Sequence, residues 1–455
     1  MTISRVFVAN RGEIAVRIIC ACHALGIEAI AGVSDADRES LPAKMADRAI
    51  CIGPVHPRES YLNIAAIVTA ASGTRSDAVH PGYGFLAEEP NLAEACSRYG
   101  IKFIGPRPEN ILDMGNKLQA RRIAREAGVP VVPGSEKVNN GSEALAVAEN
   151  IGFPVLLKAA AGGGGRGMKI VPGSGSLREA FGSAAAEARA SFGDDTLYIE
   201  RYIPNAKHIE VQIFGDRFGK VVHLGDRDCS LQRRYQKVVE EALAPFLTDE
   251  LREKMRTTAV TLAQTIGYEN AGTVEFIVDP DHGEFYFLEM NTRIQVEHPV
   301  TEAITGLDLV QAQILIADGQ PLGFTQSTVR FTGHAVECRI NAESPAEGFR
   351  PCPGRLMAWS PAEGEGIRVD SHCFSGYSVP PFYDSLLAKL IAWGTDRTEA
   401  IQRMQQGLES FVADGIETTI PFLRFLLGQR DFNNGRVHTR WAEERAEEFR
   451  GGDIE

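Results

Sequence analysis

Up to about Gly105, short apolar segments typical of buried strands alternate with longer segments typical of helices. The clearest are a strand at Arg5–Asn10, a helix at Glu13–Leu25 that ends before Gly26, and a second strand at Glu28–Val33. The alternation then continues through Tyr61–Ala71, Asp77–His80, Asn91–Tyr99 and Lys102–Ile104. Strands that alternate with helices form parallel, doubly wound sheets. We therefore expect an α/β fold that begins with such a sheet.

Length and composition restrict the class of protein. A chain of 455 residues exceeds what one hydrophobic core usually supports, so we expect two or three domains. The net charge of −13 argues against nonspecific binding to nucleic acid or to an anionic membrane surface. No uncharged stretch approaches the roughly 20 apolar residues that cross a bilayer. The eight cysteines are scattered without a Cys-x-x-Cys pair, which favours free thiols and a cytoplasmic location.

A run of four glycines, Gly162–Gly165, follows an apolar strand that ends at Lys158. Successive glycines leave backbone N–H groups free to approach a bound anion closely. Met168–Val171 is typical of a strand, so the segment does not fit the dinucleotide fingerprint, which needs a helix there. A flexible hairpin tip or linker is the simple alternative. The flanking Lys158 and the Arg166 within the loop favour a mobile hairpin lid over nucleotide phosphates, with Lys117 as a second cation.

Two glutamates are predicted to face each other across a β-hairpin. Glu275 lies in the strand-like segment Thr273–Asp279, and Glu289 lies near the end of the next strand. Cross-strand neighbours are about 5 Å apart, where two carboxylates repel by roughly 3–4 kcal/mol at an effective dielectric near 20. Either one is protonated or a divalent cation lies between them. With the oxygen of Asn291 added, the site suits Mg²⁺ or Mn²⁺. Two exposed glutamates that face different ways are the alternative.

The segment Glu289–Glu297 has a polar side chain at every second residue. In an extended backbone alternate side chains share one face, so we expect a ribbon that presents all of these groups to one side. Arg293 and Gln295 can bind a small planar oxyanion, and Glu297 beside that anion would be a general base. The competing interpretations are a solvated strand face and a structural salt bridge between Arg293 and Glu297.

A dense group of charged and polar residues extends from Arg227 to Lys237. It is typical either of a loop that binds an anion or a ribose, or of an exposed charged loop. Within it, Cys229 is expected to be a small buried residue rather than a nucleophile.

Taken together, these motifs resemble the biotin carboxylase family of the ATP-grasp superfamily, over nearly the whole chain. The glycine loop alone indicates only an ATP-grasp protein, whereas Glu289–Pro299 and Gly333–Glu343 are specific to biotin carboxylases. The other matching stretches are Ala9–Ala15, His80–Leu86, Gly162–Met168, Arg227–Lys237 and Pro380–Ser385.

The resemblance implies an α/β fold in four parts. They are an N-terminal biotin carboxylase domain with the doubly wound sheet (1–114), an ATP-grasp lid domain (115–204), an ATP-grasp core (205–332) and a biotin carboxylase C-terminal domain (333–446). Residues 447–455 would be a flexible tail. The charged segment Trp441–Glu455 is expected to be a solvated, frayed terminus.

The resemblance also implies the reaction. ATP phosphorylates bicarbonate to carboxyphosphate, which breaks down to CO₂, and the CO₂ carboxylates N1′ of biotin. Glu297 would deprotonate bicarbonate, and Arg339 would stabilise the biotin enolate. The implied catalytic residues are Arg293, Glu297, Lys237 and Arg339. The groups implied to bind bicarbonate and biotin are Lys237, Arg293, Gln295, the Val296 N–H and Arg339.

The implied cofactors are ATP, Mg²⁺ or Mn²⁺, and biotin. Glu275, Glu289 and Asn291 would hold the metals, and Glu200–Ile203 would form the adenine hinge. The implied contacts to ATP and its metals are Lys117, Lys158, Gly164, Gly165, Glu200, Arg201, Tyr202, Ile203, His208, Gln232, Tyr235, Glu275 and Glu289.

Three positions depart from the pattern of this family. Ala161 replaces a common glycine, which would stiffen the lid slightly. Arg201 replaces a common lysine beside adenine, a change that is not neutral for a planar base contact. Tyr235 occupies a position that is often histidine, which bears on any ribose or phosphate contact there.

The sequence contains no Ala-Met-Lys-Met carrier motif and no carboxyltransferase segment. Biotin is therefore expected on a separate biotin carboxyl carrier protein, and a separate carboxyltransferase subunit would use the product. The resemblance implies a homodimer and the first half-reaction of acetyl-CoA carboxylase in fatty acid synthesis. The alternatives are a subunit of a pyruvate or other acyl-CoA carboxylase, another ATP-grasp ligase that uses an acyl phosphate, such as a carbamoyl-phosphate synthetase half, and a catalytically silent nucleotide-binding regulator.

Overall fold

The computed structural model of the chain describes residues 2–160 and 168–449. Ala161 and the predicted phosphate-binding glycines, Gly164 and Gly165, lie outside the described residues, as do residues 450–455. The described chain has the predicted α/β fold, built on a five-stranded, a three-stranded and an eight-stranded sheet.

The N-terminal part alternates strands and helices. Its elements are β1 (Arg5–Val8), α1 (Gly12–Ala24), β2 (Glu28–Ser34), α2 (Leu41–Met45), β3 (Arg48–Gly53), α3 (Ile64–Gly73), β4 (Ala78–His80), α4 (Pro90–Arg98), β5 (Lys102–Phe103) and α5 (Pro108–Gly115). The strands form a parallel sheet in the order β3-β2-β1-β4-β5. Val6 and Val8 join a core cluster with residues of α1, whereas Phe7 joins another with residues of α3 and α4. Burial on both faces explains the continuous apolar run and confirms the doubly wound sheet.

The second part is a small antiparallel sheet covered by two helices. Its elements are α6 (Lys117–Glu126), α7 (Gly141–Ile151), β6 (Val155–Ala159), β7 (Met168–Val171), α8 (Ser174–Phe192) and β8 (Leu197–Arg201). The strand order is β7-β6-β8. Ala144 and Ala148 of α7 and Ala184 and Ala188 of α8 share one core cluster with the strands, because their short side chains let the helices lie close to the sheet.

The third part begins the large antiparallel sheet. Its elements are β9 (Lys207–Gly215), β10 (Val221–Arg233), β11 (Gln236–Ala242), α9 (Asp249–Thr265), β12 (Asn270–Asp279), β13 (Glu284–Asn291), α10 (His298–Thr305) and α11 (Leu309–Ala317). The hairpin of β12 and β13 places Glu275 opposite Glu289, as predicted.

The fourth part completes that sheet. Its elements are β14 (His334–Asn341), β15 (Glu343–Ser344), β16 (Arg350–Pro351), β17 (Gly354–Arg355), β18 (Ala358–Ser360), β19 (Ile367–Ser371), β20 (Ser378–Val379), β21 (Leu386–Gly394), α12 (Arg397–Ser410), β22 (Val412–Asp414), α13 (Ile420–Gly428), α14 (Arg430–Asn433) and α15 (Trp441–Glu448). The order of the eight strands is β13-β12-β9-β10-β11-β14-β21-β19. Because β11 pairs with β14, the sheet continues across the predicted boundary between residues 332 and 333.

The segment predicted as a charged loop, Arg227–Lys237, is a β-hairpin. β10 continues to Arg233, β11 starts at Gln236, and the turn between them has two residues with positive φ, Arg234 at 48° and Tyr235 at 64°. Residues 226–232 are buried, so the exposed-loop interpretation is wrong. The physical reason is pairing at long range: the Arg227 guanidinium is neutralised by Glu210 on the neighbouring strand.

The charged C-terminal segment is docked rather than frayed through Phe449. Trp441 is 3% exposed, and Phe449 packs edge-on against Phe422 at a ring separation of 5.4 Å. The expectation of a solvated terminus over Trp441–Glu448 is therefore wrong, because two aromatic side chains anchor this amphipathic helix.

In the described part of the chain, no single helix is both long and apolar enough to cross a membrane. α10 and α11 meet the length and composition requirements only as a pair, and that pair is bent by 97°.

Candidate active site

A cleft of about 890 Å³ is lined by residues that follow strands β1 and β4 of the N-terminal part and by residues of the three-stranded and eight-stranded sheets. Glu297, the predicted general base, lies beneath its surface and is 0% exposed. The other predicted site residues that the structure describes all line the cleft: Lys117, Lys158, Glu200, Arg201, Tyr202, Ile203, His208, Gln232, Tyr235, Lys237, Glu275, Glu289, Asn291, Arg293, Gln295, Val296 and Arg339.

The predicted extended ribbon ends at Asn291, where β13 ends. From Thr292 the backbone turns out of the sheet, and Glu297 precedes α10 with φ −82° and ψ 13°. The prediction that the strand stays extended through Glu297 is therefore wrong, because α10 begins at His298. The polar groups still converge: Arg293 donates to the Asn291 side-chain oxygen at 2.6 Å and to the Gln295 side-chain oxygen at 2.7 Å.

Arg293 pairs with Glu88, a partner that no pattern in the sequence indicated. The distance from Nε to a Glu88 carboxylate oxygen is 2.8 Å, and the Thr292 N–H donates to the other oxygen at 3.0 Å. The alternative of a structural salt bridge between Arg293 and Glu297 is thus wrong in this structure, since Glu297 is paired with other cations.

Three carboxylates surround the Lys237 ammonium. Its Nζ lies 2.7 Å from Glu210, 3.1 Å from Glu275 and 2.6 Å from Glu297. Burial acts to lower the pKa of Lys237, but the neighbouring acidic groups, Cys229 and Glu210 foremost, raise it well above its usual value. Lys237 therefore remains charged. It lines the cleft and contacts three carboxyl groups there.

Glu297 is buried but charged. One oxygen accepts from Lys237, and the other accepts from Arg339 Nη2 at 2.9 Å. Burial would raise the pKa of Glu297, but Lys237, Arg339 and Arg227 lower it well below its usual value. Cys229 points its thiol at this carboxylate at 3.7 Å, and burial raises the pKa of that thiol well above normal, so Cys229 is the expected inert buried residue.

Arg339 connects this buried carboxylate to a second one. Its Nε donates to Glu240 at 2.6 Å, and both Glu240 and Glu297 are 0% exposed. Burial raises the pKa of Glu240 to about 7, although the Arg339 charge opposes the shift. Glu240 was not predicted, because no pattern in the sequence distinguishes it from the adjacent Glu241.

The facing glutamates have different surroundings. Glu275 is buried and lies 2.8 Å from His208 Nε2, in addition to its contact with Lys237, and burial is outweighed by Lys237 and His208, which lower its pKa. The side chain of Glu289 is 36% exposed, and its nearest cation is Lys117 at 3.7 Å. For facing glutamates, the sequence allowed only two possibilities, a protonated carboxyl group or a divalent cation between them. In the structure each of the two carboxylates instead has a protein cation beside it. The oxygen donors of Glu275, Glu289 and Asn291 fit the preference of Mg²⁺ or Mn²⁺.

At the opposite wall of the cleft, Lys158 is buried with Glu200. Its Nζ lies 2.9 Å from the Glu200 carboxylate, which also pairs with Arg121. Burial, then the charges of Lys117 and Arg121, lowers the pKa of Lys158 to about 7, while the Glu289 carboxylate acts in the opposite direction.

Arg201 and His208, two of the predicted nucleotide contacts, are hydrogen-bonded to other side chains. The Arg201 guanidinium contacts the Tyr286 hydroxyl at 2.7 Å, at the edge of the cleft. His208 Nδ1 accepts from Gln232 Nε2 at 2.6 Å, which fixes the His208 ring orientation with Nε2 facing Glu275. Tyr235 lies at the hairpin turn and is 49% exposed.

Three protein families match consecutive segments of the sequence. The N-terminal domain of biotin carboxylase matches residues 2–111, and the ATP binding domain of the carbamoyl-phosphate synthase L chain matches residues 116–325. The C-terminal domain of biotin carboxylase matches residues 337–444.

Individual relatives match over almost the full length. The chain is 49% identical over 442 residues to biotin carboxylase 1 of Bacillus subtilis, which covers 97% of this chain and 98% of that one. It is 50% identical over 442 residues to a pyruvate carboxylase subunit from Methanothermobacter thermautotrophicus, which covers 97% of this chain and 90% of that one.

Solved structures agree with these matches. A biotin carboxylase complex with a β,γ-ATP compound from Campylobacter jejuni superposes with a TM-score of 0.94 at 45% identity, covering 97% of this chain and 99% of that one. The biotin carboxylase domain dimer of 2-oxoglutarate carboxylase from Hydrogenobacter thermophilus, in complex with MgADP, ADP and bicarbonate, gives 0.93 at 47% identity and covers 98% of each chain. Identity at this level over the whole fold leaves one assignment: the chain belongs to the biotin carboxylase family.

Proposed function

We propose that this protein is an ATP-dependent ligase that carboxylates biotin with bicarbonate. ATP transfers its terminal phosphoryl group to bicarbonate, which gives carboxyphosphate and ADP. Carboxyphosphate breaks down to CO₂ and phosphate, and CO₂ is then attached to N1′ of biotin. The observation that carries the proposal is a set of cationic and amide groups, open to the cleft, around a buried, ionised carboxylate.

The anion-binding half of this set consists of Lys237, Arg293 and Gln295. The Arg293 and Gln295 side chains are in contact, and both line the cleft. The Gln295 amide nitrogen, which donates to Glu275 at 2.9 Å, is the group that can donate to a small planar anion beside Arg293. The guanidinium presents a planar, bidentate donor surface that suits an oxyanion. Bicarbonate is the proposed anion, with the Val296 N–H as a further donor.

Glu297 is the proposed base for bicarbonate. Its pKa is lowered by Lys237, Arg339 and Arg227 despite burial, so it carries no proton at neutral pH and can accept one. Lys237 and Arg339 contact its two oxygens from the side of the cleft, so bicarbonate reaches it where these cations lie. A positioned general base typically raises the rate by about 10²–10⁴-fold, and we expect an effect of that order from Glu297.

Nucleotide and metal are proposed to occupy the remainder of the cleft. Lys117 and Lys158 face the phosphates, and residues 200–203 lie along the adenine. Glu275, Glu289 and Asn291 are the proposed metal ligands, because they lie on the paired strands of the β12–β13 hairpin and all three line the cleft. Mg²⁺, when bound there, neutralises charge on the phosphates. Among the residues that the structure describes, Glu289 has only Lys117 as an ion-pair partner, at 3.7 Å.

We also propose the assembly in which the chain works. Biotin arrives on a separate biotin carboxyl carrier protein, a carboxyltransferase subunit consumes the carboxyl group, and the chain forms a homodimer. A cytoplasmic location is supported by eight free cysteines. Acetyl-CoA is the proposed final acceptor and pyruvate or another acyl-CoA the alternative; relatives carry names of pyruvate and 2-oxoglutarate carboxylases as well as biotin carboxylase. Isolating the native complex and identifying its transferase subunit decides among these acceptors.

The proposal predicts a specific dependence of ATP hydrolysis. Purified protein should release ADP only when bicarbonate and Mg²⁺ are both present, and free biotin should raise the rate. Coupled measurement of ADP release with each component omitted in turn provides the controls. Nucleotide that binds without any stimulation by biotin would contradict the carboxylation of biotin.

The runner-up is an ATP-grasp ligase that makes carbamoyl phosphate. The match of residues 116–325 to the carbamoyl-phosphate synthase ATP binding domain is the observation that favours it. In the same assay, stimulation by ammonia in place of biotin would support this alternative.

A further inference from the structure

Two buried side chains hold the backbone beneath the proposed bicarbonate site. His298 Nδ1 donates to the Gln295 carbonyl at 2.8 Å, and Lys389 Nζ donates to the Val296 carbonyl at 2.9 Å. Both side chains are 0% exposed, and neither lines the cleft. They contact the loop from its buried side, and neither has a role in the chemistry proposed above.

The two contacts determine where one backbone donor points. The Gln295 carbonyl and the Val296 N–H belong to the same planar trans peptide unit, in which C=O and N–H point in opposite directions. Because His298 holds the carbonyl on the buried side, the N–H faces the side where Gln295 and Val296 line the cleft. No described residue accepts a hydrogen bond from this N–H. Val296 is half-buried and lines the cleft, so its backbone N–H is available to a ligand that enters there.

Lys389 contacts the next peptide unit, at the Val296 carbonyl. Acidic residues from other parts of the chain neutralise its charge. It lies on β21, and its Nζ is 3.1 Å from Glu13 of α1 and 3.9 Å from Asp370 of β19. Tyr83 donates to the second oxygen of Glu13. A buried charge without a counterion is strongly unfavourable, so Glu13 is what allows a lysine to lie under the loop. The N-terminal helix and the C-terminal strand thus meet at the Val296 carbonyl.

We propose that His298 and Lys389 are positioning residues for bicarbonate. By fixing two successive carbonyls, Gln295 and Val296, on the buried side, they aim the Val296 N–H into the cleft and hold it there. The inference rests on the proposed function, since it names bicarbonate as the anion that this N–H meets. It adds residues that act on the substrate only through the backbone.

Paired substitutions at His298 test the first contact. His298→Leu removes the donor, whereas His298→Asn keeps an amide N–H near the position of Nδ1. We expect the leucine variant to raise the KM for bicarbonate by about tenfold or more, the loss typical of one hydrogen bond to a charged group, with the KM for ATP within about twofold. The asparagine variant should recover most of that loss, because it can still hold the Gln295 carbonyl.

A charge-balanced variant tests the second contact. Lys389→Met combined with Glu13→Gln leaves no unpaired buried charge at this position, and it too should raise the bicarbonate KM by about tenfold. Lys207 offers a matched control, because it is also a buried lysine that contacts a carboxylate, Asp228, and a backbone carbonyl, Gly435. Lys207→Met combined with Asp228→Asn, balanced in the same way, should leave the bicarbonate KM within about twofold of wild type, since both residues lie outside the cleft lining.

The outcomes separate this inference from the function on which it rests. Folding of each variant is checked by a cooperative thermal transition, and the charge-balanced variant decides the matter if His298→Leu does not fold. An unchanged bicarbonate KM in a folded variant, or equal losses in His298→Leu and His298→Asn, would overturn the positioning role. Wild-type protein that shows no bicarbonate-dependent ATP turnover would instead contradict the proposed function.

Discussion

Arg339 is the cleft residue that joins the open site to its buried carboxylates. It contacts Glu240 and Glu297, neither of which has exposed surface, while its own side chain lines the cleft. Two buried negative charges are stable only while cations accompany them. Arg339 thus faces the proposed biotin side and, together with Lys237, keeps Glu297 ionised.

Replacing Arg339 by alanine should separate nucleotide binding from carboxylation. We expect kcat for biotin carboxylation to fall by about 10²–10³-fold, the loss typical of removing one group that stabilises a developing oxyanion. The Kd for ATP should stay within about twofold, because Arg339 forms its hydrogen bonds and ion pairs with Glu240 and Glu297 and not with Lys117 or Lys158. Steady-state kinetics and calorimetric titration measure the two quantities. Arg217→Ala, an exposed arginine outside the cleft, is the control, and a large loss of ATP affinity in Arg339→Ala would contradict the assigned role.

Among the elements, the β10–β11 hairpin shows where reasoning from sequence succeeds and where it stops. Types of side chain that bind anions could be recognised in Arg227–Lys237, and Lys237 does line the cleft. The strand itself could not be recognised from the sequence. A run of charged residues normally predicts a solvent-exposed segment unless the partners of those residues are known. Those partners, such as Glu210 for Arg227, lie on other strands and become neighbours only after folding.

At the turn after β13, the prediction for the side chains was correct although the predicted backbone conformation was wrong. Alternation correctly predicted that Asn291, Arg293 and Gln295 converge, but for the wrong reason. The strand ends at Asn291, and hydrogen bonds from Arg293 to its two neighbours bring the groups together. Period-two patterns fix which side chains share a face only while the backbone is extended, and a following helix removes that condition.

A buried carboxylate joins two strands of the large sheet to the helix α12 and should make stability depend on pH. Glu241 of β11 contacts His334 of β14 at 2.9 Å and Arg397 of α12 at 2.7 Å. Burial alone would raise the pKa of Glu241, but hydrogen bonds from His334 and Arg397 lower it from 4.5 to about 2. Because the folded pKa lies below the unfolded one, this contribution is complete above pH 4.5 and is lost as the pH falls toward 2.

Glu241→Gln should therefore destabilise the protein more at neutral than at acidic pH. The shift in pKa corresponds to about 3 kcal/mol of unfolding free energy at pH 7, and roughly 1 kcal/mol of it should already be lost at pH 4. Urea unfolding of wild type and variant at the two pH values measures the difference. Glu149→Gln, an exposed substitution, should change stability by no more than about 0.5 kcal/mol at either pH. Equal destabilisation by Glu241→Gln at both pH values would show that the carboxylate is not held as described.

For the molecule as a whole, the cleft belongs to no single part of the chain. It is lined by Arg11 and Tyr83 from loops of the N-terminal part, Lys158 from the small sheet, and both halves of the eight-stranded sheet. Lys389 and Glu13 pair the C-terminal strand β21 with the N-terminal helix α1 directly below it. Sequence patterns predicted some strands of each of these sheets, yet this convergence depends on packing between parts, which local patterns do not encode. A ligand in the cleft contacts several parts at once and should stabilise them together.

Nucleotide should therefore stabilise the whole protein, with a component that depends on Mg²⁺ and on Glu289. A ligand that binds only the folded state adds about 2.7 kcal/mol at a concentration 100 times its Kd. We expect ATP with Mg²⁺ to raise Tm more than ATP with a chelator, because Glu275 and Glu289 repel the phosphates unless a cation intervenes. Glu289→Gln should lose the increment from Mg²⁺ while keeping the one from ATP alone, and the exposed substitution Glu363→Gln should keep both. If Mg²⁺ stabilised Glu289→Gln as much as wild type in thermal unfolding, Glu289 would not be a metal ligand.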